Sequence, residues 1–152
     1  MTIMKVKVKT LPHYEGLPLP EYGTEHAAGM DLHAAINDPI TLQPLQRELI
    51  PVGLAMEIPE GYELQIRGRS GLARKNGIGL VNGIGTIDAD YRGEIGALII
   101  NLSNEPFTVE RGMRIAQGIF NKFEKIQWEP VAELNETARG AGGFGSTGTK
   151  VA

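Results

Sequence analysis

At 152 residues the chain is long enough for one domain with its own core and too short for two. A net charge of −3 without a long basic run argues for no nucleic acid partner and favours a free small molecule. The absence of cysteine excludes disulfides, thiolate metal sites and cysteine nucleophiles, and fits a reducing, cytoplasmic setting. The opening run Met1-Thr2-Ile3-Met4-Lys5-Val6-Lys7-Val8-Lys9 alternates apolar and basic residues, which reads as a strand. It lacks the apolar centre of a leader peptide, so neither a targeting signal nor a membrane span is expected.

Twenty glycines and nine prolines punctuate short Val, Ile and Leu runs, leaving little room for a long helix. The pattern is all-β. The predicted strands are Met4–Lys9, Met30–Ala35, Gln46–Ile58, Tyr62–Arg67, Gly77–Val81, Ile84–Asp88, Glu94–Leu102, Phe107–Glu110 and Arg114–Phe123, with a last one near Ile126–Ala132. Ser70–Asn76 has room for one or two helical turns. So many short strands suggest a barrel or jelly roll, which closes edges that would otherwise pair with other chains. Residues 1–137 are expected to form that barrel. From Glu133 the composition turns to Gly, Ser, Thr and Ala, and residues 138–152 are expected to be a flexible Gly-rich C-terminal tail.

Five segments stand out along this scaffold. In Ala27-Ala28-Gly29-Met30-Asp31-Leu32-His33-Ala34-Ala35, small residues surround an acid entering a strand; this is either a solvated turn or a place of close backbone approach. His13, His26 and His33 lack the spacing of a zinc site. In Arg67-Gly68-Arg69-Ser70-Gly71-Leu72-Ala73, an N-cap-type serine follows a strand beside arginine. It is an anion site or an ordinary cap.

The third segment is Gly79 to Gly93. Asn82-Gly83 between apolar residues signals a tight hairpin. With a two-residue loop, Val81 faces Ile84 and Gly79 faces Thr86. Ile78, Leu80 and Ile87 then fill one face, while Gly77, Gly79, Val81, Ile84, Thr86 and Asp88 share the other. A face so stripped of side chains lets a flat ring reach the backbone, with Asp88 at its edge; otherwise the glycines serve turns and a bend only. In the fourth segment, Glu110 to Phe120, alternation places Met113, Ile115, Gln117 and Ile119 on one face and Arg114, Ala116 and Phe120 on the other. Gln117 among apolar neighbours is a satisfied core residue or one that holds water.

The fifth segment, Ala138 to Gly148, contains Gly143-Phe144-Gly145-Ser146-Thr147-Gly148, a literal G-x-G-x-x-G, and half of a phosphate-loop pattern. Both matches are false, because each motif needs a strand before it and a helix after it. The chemistry remains: backbone N–H groups, hydroxyls, one arginine and a lone aromatic ring suit a phosphorylated aromatic ligand; otherwise the stretch is a plain flexible terminus.

Taken together and in this order, the five segments resemble the five motifs of the trimeric deoxyuridine triphosphatases (dUTPases). The resemblance rests on Ala28-Gly29-Met30-Asp31-Leu32, Arg69-Ser70-Gly71-Leu72, Gly85-Thr86-Ile87-Asp88-Ala89-Asp90-Tyr91-Arg92-Gly93, Arg111-Gly112-Met113-Arg114-Ile115-Ala116-Gln117 and Arg139 to Gly148. It implies a jelly-roll-like β-barrel, a homotrimer with shared active sites, and hydrolysis of dUTP to dUMP and pyrophosphate by water attack at the α-phosphorus. That activity keeps uracil out of DNA and supplies dUMP for thymidylate synthesis. The resemblance assigns Asp88 as general base, Gln117 as the residue positioning the water, and Ser70 a place near the α,β-bridge. On the same resemblance, Arg69, Ser70 and Gly71 would bind phosphate, while Asn82 and the backbone around Gly83 to Thr86 would read the uracil edge, with Ile87 also at the substrate and the strand near Gly96 contributing. Tyr91 would lie under the deoxyribose. Arg139, Phe144, Gly145, Ser146 and Thr147 would close over the nucleotide from another subunit. Mg²⁺ would come mainly with the triphosphate, and Asp31 would hold its waters. Gly68 departs from the family pattern, which commonly has proline there.

The residue chemistry agrees, since Mg²⁺ retains waters and phosphoryl transfer depends mostly on positioning and charge neutralisation. A deoxycytidine triphosphate deaminase would share the fold but needs a glutamate at the pyrimidine, where this hairpin carries Asp88. A silent nucleotide-sensing module would not need Asp88, Gln117 and a complete tail. Pyrophosphate and ammonia release from dUTP, dCTP and UTP separates the three.

Overall fold

The computed structural model describes residues 3–151. Its strands are β1 (Lys7–Thr10), β2 (Met30–His33), β3 (Ile40–Leu42), β4 (Arg47–Pro51), β5 (Leu54–Glu57), β6 (Tyr62–Arg67), β7 (Ile78–Leu80), β8 (Ile84–Ile87), β9 (Gly96–Asn101), β10 (Phe107–Val109) and β11 (Arg114–Lys122). A helix, α1, covers Ser70–Asn76, and a 3-10 turn covers Pro12–Tyr14. The strands form a four-stranded sheet β2-β11-β6-β8, a three-stranded sheet β4-β9-β7 and two ribbons, β1-β5 and β10-β3. Every ladder is antiparallel. Each step along the chain from one strand to the next changes sheet, so the elements wrap one core as a jelly-roll-like fold. Leu32, Ile50, Leu54, Leu64, Ile66, Ile78, Ile99 and Ile115 fill that core.

Alternation decides which side of β6 and of β9 reaches the core. In β9, Ala97, Ile99 and Asn101 point inward while their neighbours are half-buried. Asn101 is fully buried and fully bonded. Its Nδ2 donates to the carbonyls of Leu42 (3.0 Å) and Glu105 (2.7 Å). Its Oδ1 accepts from the N–H (2.9 Å) and hydroxyl (2.8 Å) of Ser103. The side chain thereby ties β3 to the turn after β9.

Several expectations need correction. The long strand expected over Gln46–Ile58 is two strands, because the chain turns at Gly53, where φ is +73° and an added Cβ would sit 2.7 Å from Ala35 Cβ. The first strand starts at Lys7 instead of Met4, with Met1 and Thr2 outside the described residues, and the short β3 and the 3-10 turn were not anticipated. Asn82-Gly83 does not close a two-residue hairpin. The Gly83 N–H donates to the Leu80 carbonyl at 3.1 Å with only Gly83 at positive φ, and β7 then joins β9 while β8 joins β6. Val81 and Gly79 therefore do not face Ile84 and Thr86.

In β11 the register against β2 slips between Arg114 and Ala116, a bulge that inserts Ile115. Ile115 and Ala116 are both buried as a result, and the simple alternation expected through this strand fails. Beyond the bulge, Gln117 and Ile119 lie together beside Gly29. The strand expected near Ile126–Ala132 does not form: this stretch joins no ladder of its own chain, and Ile126, Trp128, Val131 and Leu134 are exposed. No helix among the described residues is long and apolar enough to cross a membrane.

Candidate active site

Because β7 and β8 leave the Asn82-Gly83 turn in different sheets, a cleft of about 280 Å³ opens beside them. Leu49, Ile66, Leu80 and Leu98 give it apolar walls, and Asn82, Thr86, Asp88, Tyr91 and Glu94 bring polar groups to it. An apolar slot with a few placed polar groups is the usual form of a small-molecule site. Gly85 and Gly96 also line it; a Cβ on Gly96 would lie 2.6 Å from Leu49 Cδ1. Of the predicted base-reading residues, Asn82, Thr86, Ile87 and Gly96 meet here. Gly83 makes the turn but does not line the cleft. Leu80 and Ile87 do, so the two faces expected of a hairpin merge into one cavity wall.

Asp88 stands on the lip between this cleft and a broader groove of about 980 Å³ that carries Lys5, Lys7, Arg92 and Lys125. The turn after it is fixed by the Tyr91 N–H donating to the Asp88 carbonyl (3.1 Å) and by Arg92 Nη1 donating to the carbonyls of Ala89 (2.6 Å) and Tyr91 (3.2 Å). Tyr91 donates its hydroxyl to the Glu94 carbonyl at 2.8 Å. Glu94 was not anticipated as a site residue. Its partners, His13 and Gly53, lie 81 and 41 residues away, beyond the reach of any local pattern.

A second group assembles at the other end of β6. Gln117 pairs across β11 with Asp31 on one side and Arg67 on the other, and its Nε2 donates to the Gly68 carbonyl at 2.9 Å. Arg69 Nε meets Asp31 Oδ1 at 2.9 Å, and its Nη1 donates to the Arg114 carbonyl at 3.0 Å. Arg114 Nε lies 3.9 Å from the other Asp31 oxygen. Burial lowers the pKa of neighbouring His33, Arg114 and Arg69 push the same way, and Asp31 opposes them. Ser70 begins α1 but does not cap it: Arg69 occupies the N-cap position, and no side chain caps the helix there. The Ser70 side chain is left exposed next to Gly71.

These two groups do not form one centre within a chain. Gln117 lies opposite Arg67, whereas Asp88 follows Ile87, which lies opposite Leu64. That offset is roughly 13 Å along β6, with two further strand spacings of about 4.8 Å across the sheet. The tail contributes a third piece. Arg139 Nε donates to the Gly142 carbonyl at 2.8 Å, and Phe144, at φ +50°, is fully exposed.

Among the described residues no group of three or more His, Cys, Asp or Glu could hold an ion. Asp31 is half-buried, and carboxylate lone pairs beyond its Arg69 bond remain for a hydrated cation.

The family model for dUTPase matches residues 15–148. This chain belongs to the dUTPase family. The deoxyuridine 5′-triphosphate nucleotidohydrolase of Rickettsia bellii is 57% identical over 148 residues, 97% of this chain and 98% of the relative. The protein of the same name from Rickettsia felis is 57% identical over 97% of this chain and 99% of its own. Among solved structures, a point mutant of the Staphylococcus bacteriophage 80alpha dUTPase with dUpNHpp is similar with a TM-score of 0.85 and 26% identity, covering 95% of this chain and 99% of that one. A point mutant of the dUTPase from phage phi11 of S. aureus, described with a structural Mg(II) ion, shares the fold at TM-score 0.77, 23% identity and 88% and 100% coverage.

Proposed function

We propose that the protein, acting in the cytoplasm, hydrolyses dUTP to dUMP and pyrophosphate at centres completed between copies of the chain in a homotrimer. The observation that carries the shared centre is the separation of Asp88 from Gln117. One attacking water cannot be deprotonated by the first and oriented by the second when they sit at opposite ends of β6. The exposed apolar side chains of Ile126, Trp128, Val131 and Leu134 support assembly, since a lone chain leaves them in water.

In this reading the cleft of one chain takes the base, with Asn82, Thr86 and Gly96 reading uracil beside Ile87, Gly83 shaping the turn that carries Asn82, and Tyr91 lying under the deoxyribose. Fixed hydrogen bonds to the pyrimidine edge reject cytosine by leaving buried groups unpaired. Arg69, Ser70 and Gly71 of a neighbouring chain bind the phosphates, Ser70 near the α,β-bridge. Asp88 takes a proton from the water that Gln117 orients. The water oxygen bonds to the α-phosphorus, the bond from that phosphorus to the bridging oxygen breaks, and pyrophosphate leaves. Mg²⁺ brought by the triphosphate would neutralise part of its charge, and Asp31 would hold the ion's waters. The tail, residues 138–152, brings Arg139, Phe144, Gly145, Ser146 and Thr147 over the nucleotide from another copy.

Mixing impaired chains tests the assembly. Asp88→Asn and Gln117→Ala proteins, each strongly impaired alone, should recover activity after subunit exchange. The expected level is about a quarter of wild type, the statistical share of intact centres in randomly mixed three-fold rings. Exchange verified by mass spectrometry without recovered pyrophosphate release would refute the shared centre. The same experiment with chains lacking residues 139–152 and Asp88→Asn chains tests whether the tail acts on another copy.

A further inference from the structure

We propose that Glu94 is a positioning residue that sets the preference for 2′-deoxyribose over ribose by fixing the height of the Tyr91 ring. The inference rests on the reading that Tyr91 lies under the deoxyribose. A half-exposed ring on a turn excludes a hydroxyl only if it is held, and two contacts hold this one. Gly93 leaves the space the ring occupies, since a Cβ there would come within 2.6 Å of Tyr91 Cζ. The Tyr91 hydroxyl donates to the backbone carbonyl of Glu94 at 2.8 Å. The ring is therefore only as well placed as Glu94.

The Glu94 side chain is anchored from two distant segments. Its Oε1 accepts from the Gly53 N–H at 3.1 Å and from Nε2–H of His13. Gly53 is wedged against Tyr14 and Ala35, so this donor has little room to shift. Arg111 in turn fixes the segment carrying His13, donating to the carbonyls of His13 (2.9 Å), Ile36 (3.1 Å) and Glu15 (2.7 Å). On the other side, the Ile95 N–H donates to the Leu54 carbonyl at 2.8 Å. A glutamate whose only task was solvation would not be clamped by a backbone amide and a histidine while lining the cleft. Shape-based discrimination over a single small group is worth only about 10–200-fold, so it is sensitive to small displacements of the wall that provides it.

The test compares kcat/KM for dUTP and UTP. Glu94→Ala should lower the dUTP/UTP ratio by about 3–10-fold, a fraction of that range. Glu94→Gln, which keeps an acceptor at the same place, should retain most of the ratio. His13→Ala should shift it in the same direction as Glu94→Ala, and it serves as the readout if Glu94→Ala does not fold. On a Tyr91→Ala background, Glu94→Ala should change the ratio no further. Equal losses for both nucleotides in Glu94→Ala and His13→Ala would reduce Glu94 to a structural role and overturn the proposal. An undiminished effect in the Tyr91→Ala background would overturn it as well, by showing that Glu94 acts without the ring. If Tyr91→Ala alone leaves the ratio unchanged, the underlying reading of Tyr91 fails, and the proposal fails with it.

Discussion

Gly29→Ala asks whether Gln117 works through position. No positive φ is required at Gly29, so alanine suits the backbone and should lower the entropy of the unfolded chain. The new Cβ, however, would lie 2.6 Å from Gln117 Oε1 and 3.2 Å from Ile119 Cγ1. Ordinary contact begins at about 3.5 Å, so the amide must retreat by about 0.9 Å. Its Nε2 donates to Gly68 at 2.9 Å, and a displacement of that size strains or breaks the bond. Since the clash falls on the end of a flexible side chain, the net stability loss should be about 1 kcal/mol, overpacking partly offset by the entropy gain. Turnover should fall by about 10–10²-fold, the scale of a misplacement of about 1 Å. Pyrophosphate release under saturating dUTP gives kcat, and calorimetry with a non-hydrolysable dUTP analogue gives affinity. A folded Gly29→Ala protein with wild-type kcat, or one whose whole loss lies in affinity, would refute the reasoning.

Asp88→Asn should preserve fold and nucleotide affinity while lowering kcat by about 10²–10⁴, as expected for loss of a general base; a near-wild-type rate in stopped assays removes Asp88 from that role. Asn101→Ala deletes four hydrogen bonds in a fully buried setting and leaves the Leu42 and Glu105 carbonyls without this donor. Urea unfolding should show a loss of about 3 kcal/mol, and a loss below about 1 kcal/mol would contradict the account of its packing. The pKa of His33 is lowered by burial and by Arg114, so the unfolded chain takes up its proton at higher pH than the folded one. That contribution is fully present above the ordinary value of 6.5 and is lost as pH falls from there through the lowered folded value. His33→Asn should therefore flatten the fall in the urea midpoint between about pH 8 and about pH 5, and an unchanged slope would assign the effect to other groups.

Local pattern carried most of the strands, because burial in β6 and β9 follows the two-residue period written in their sequences. It also marked Asp88, Arg69 and Gln117, whose neighbouring glycines and small residues are visible along the chain, whereas Tyr91 came only with the resemblance to the dUTPase motifs. What it missed depends on partners far away in sequence. Asn82-Gly83 looks like a hairpin until β9 and β6 take its two strands, and Gly53 looks like a strand residue until Tyr14 and Ala35 crowd it. Glu94 gains its role from His13, and nothing in the run Arg92-Gly93-Glu94-Ile95 announces that partner. Ile126–Ala132 has the composition of a strand, but composition cannot supply the neighbour that a ladder requires.

The bulge at Ile115 makes residue count part of the chemistry. Paired without a break from Arg114 opposite His33, β11 would bring Ala116 opposite Asp31 and carry Gln117 one step on, opposite Met30. With a period of two, every side chain past that point would exchange faces. The ladder holds because one residue is left out of it, so the sites of tolerated length change differ sharply over a few positions. Deleting Ile115 costs core volume yet leaves Gln117 opposite Asp31. Adding one residue just after Ala116 keeps every side chain and aims the later ones the wrong way, unless a second bulge absorbs it. Spacing is thus inherited information in its own right, and a library that varies only amino-acid identity at fixed length never samples it.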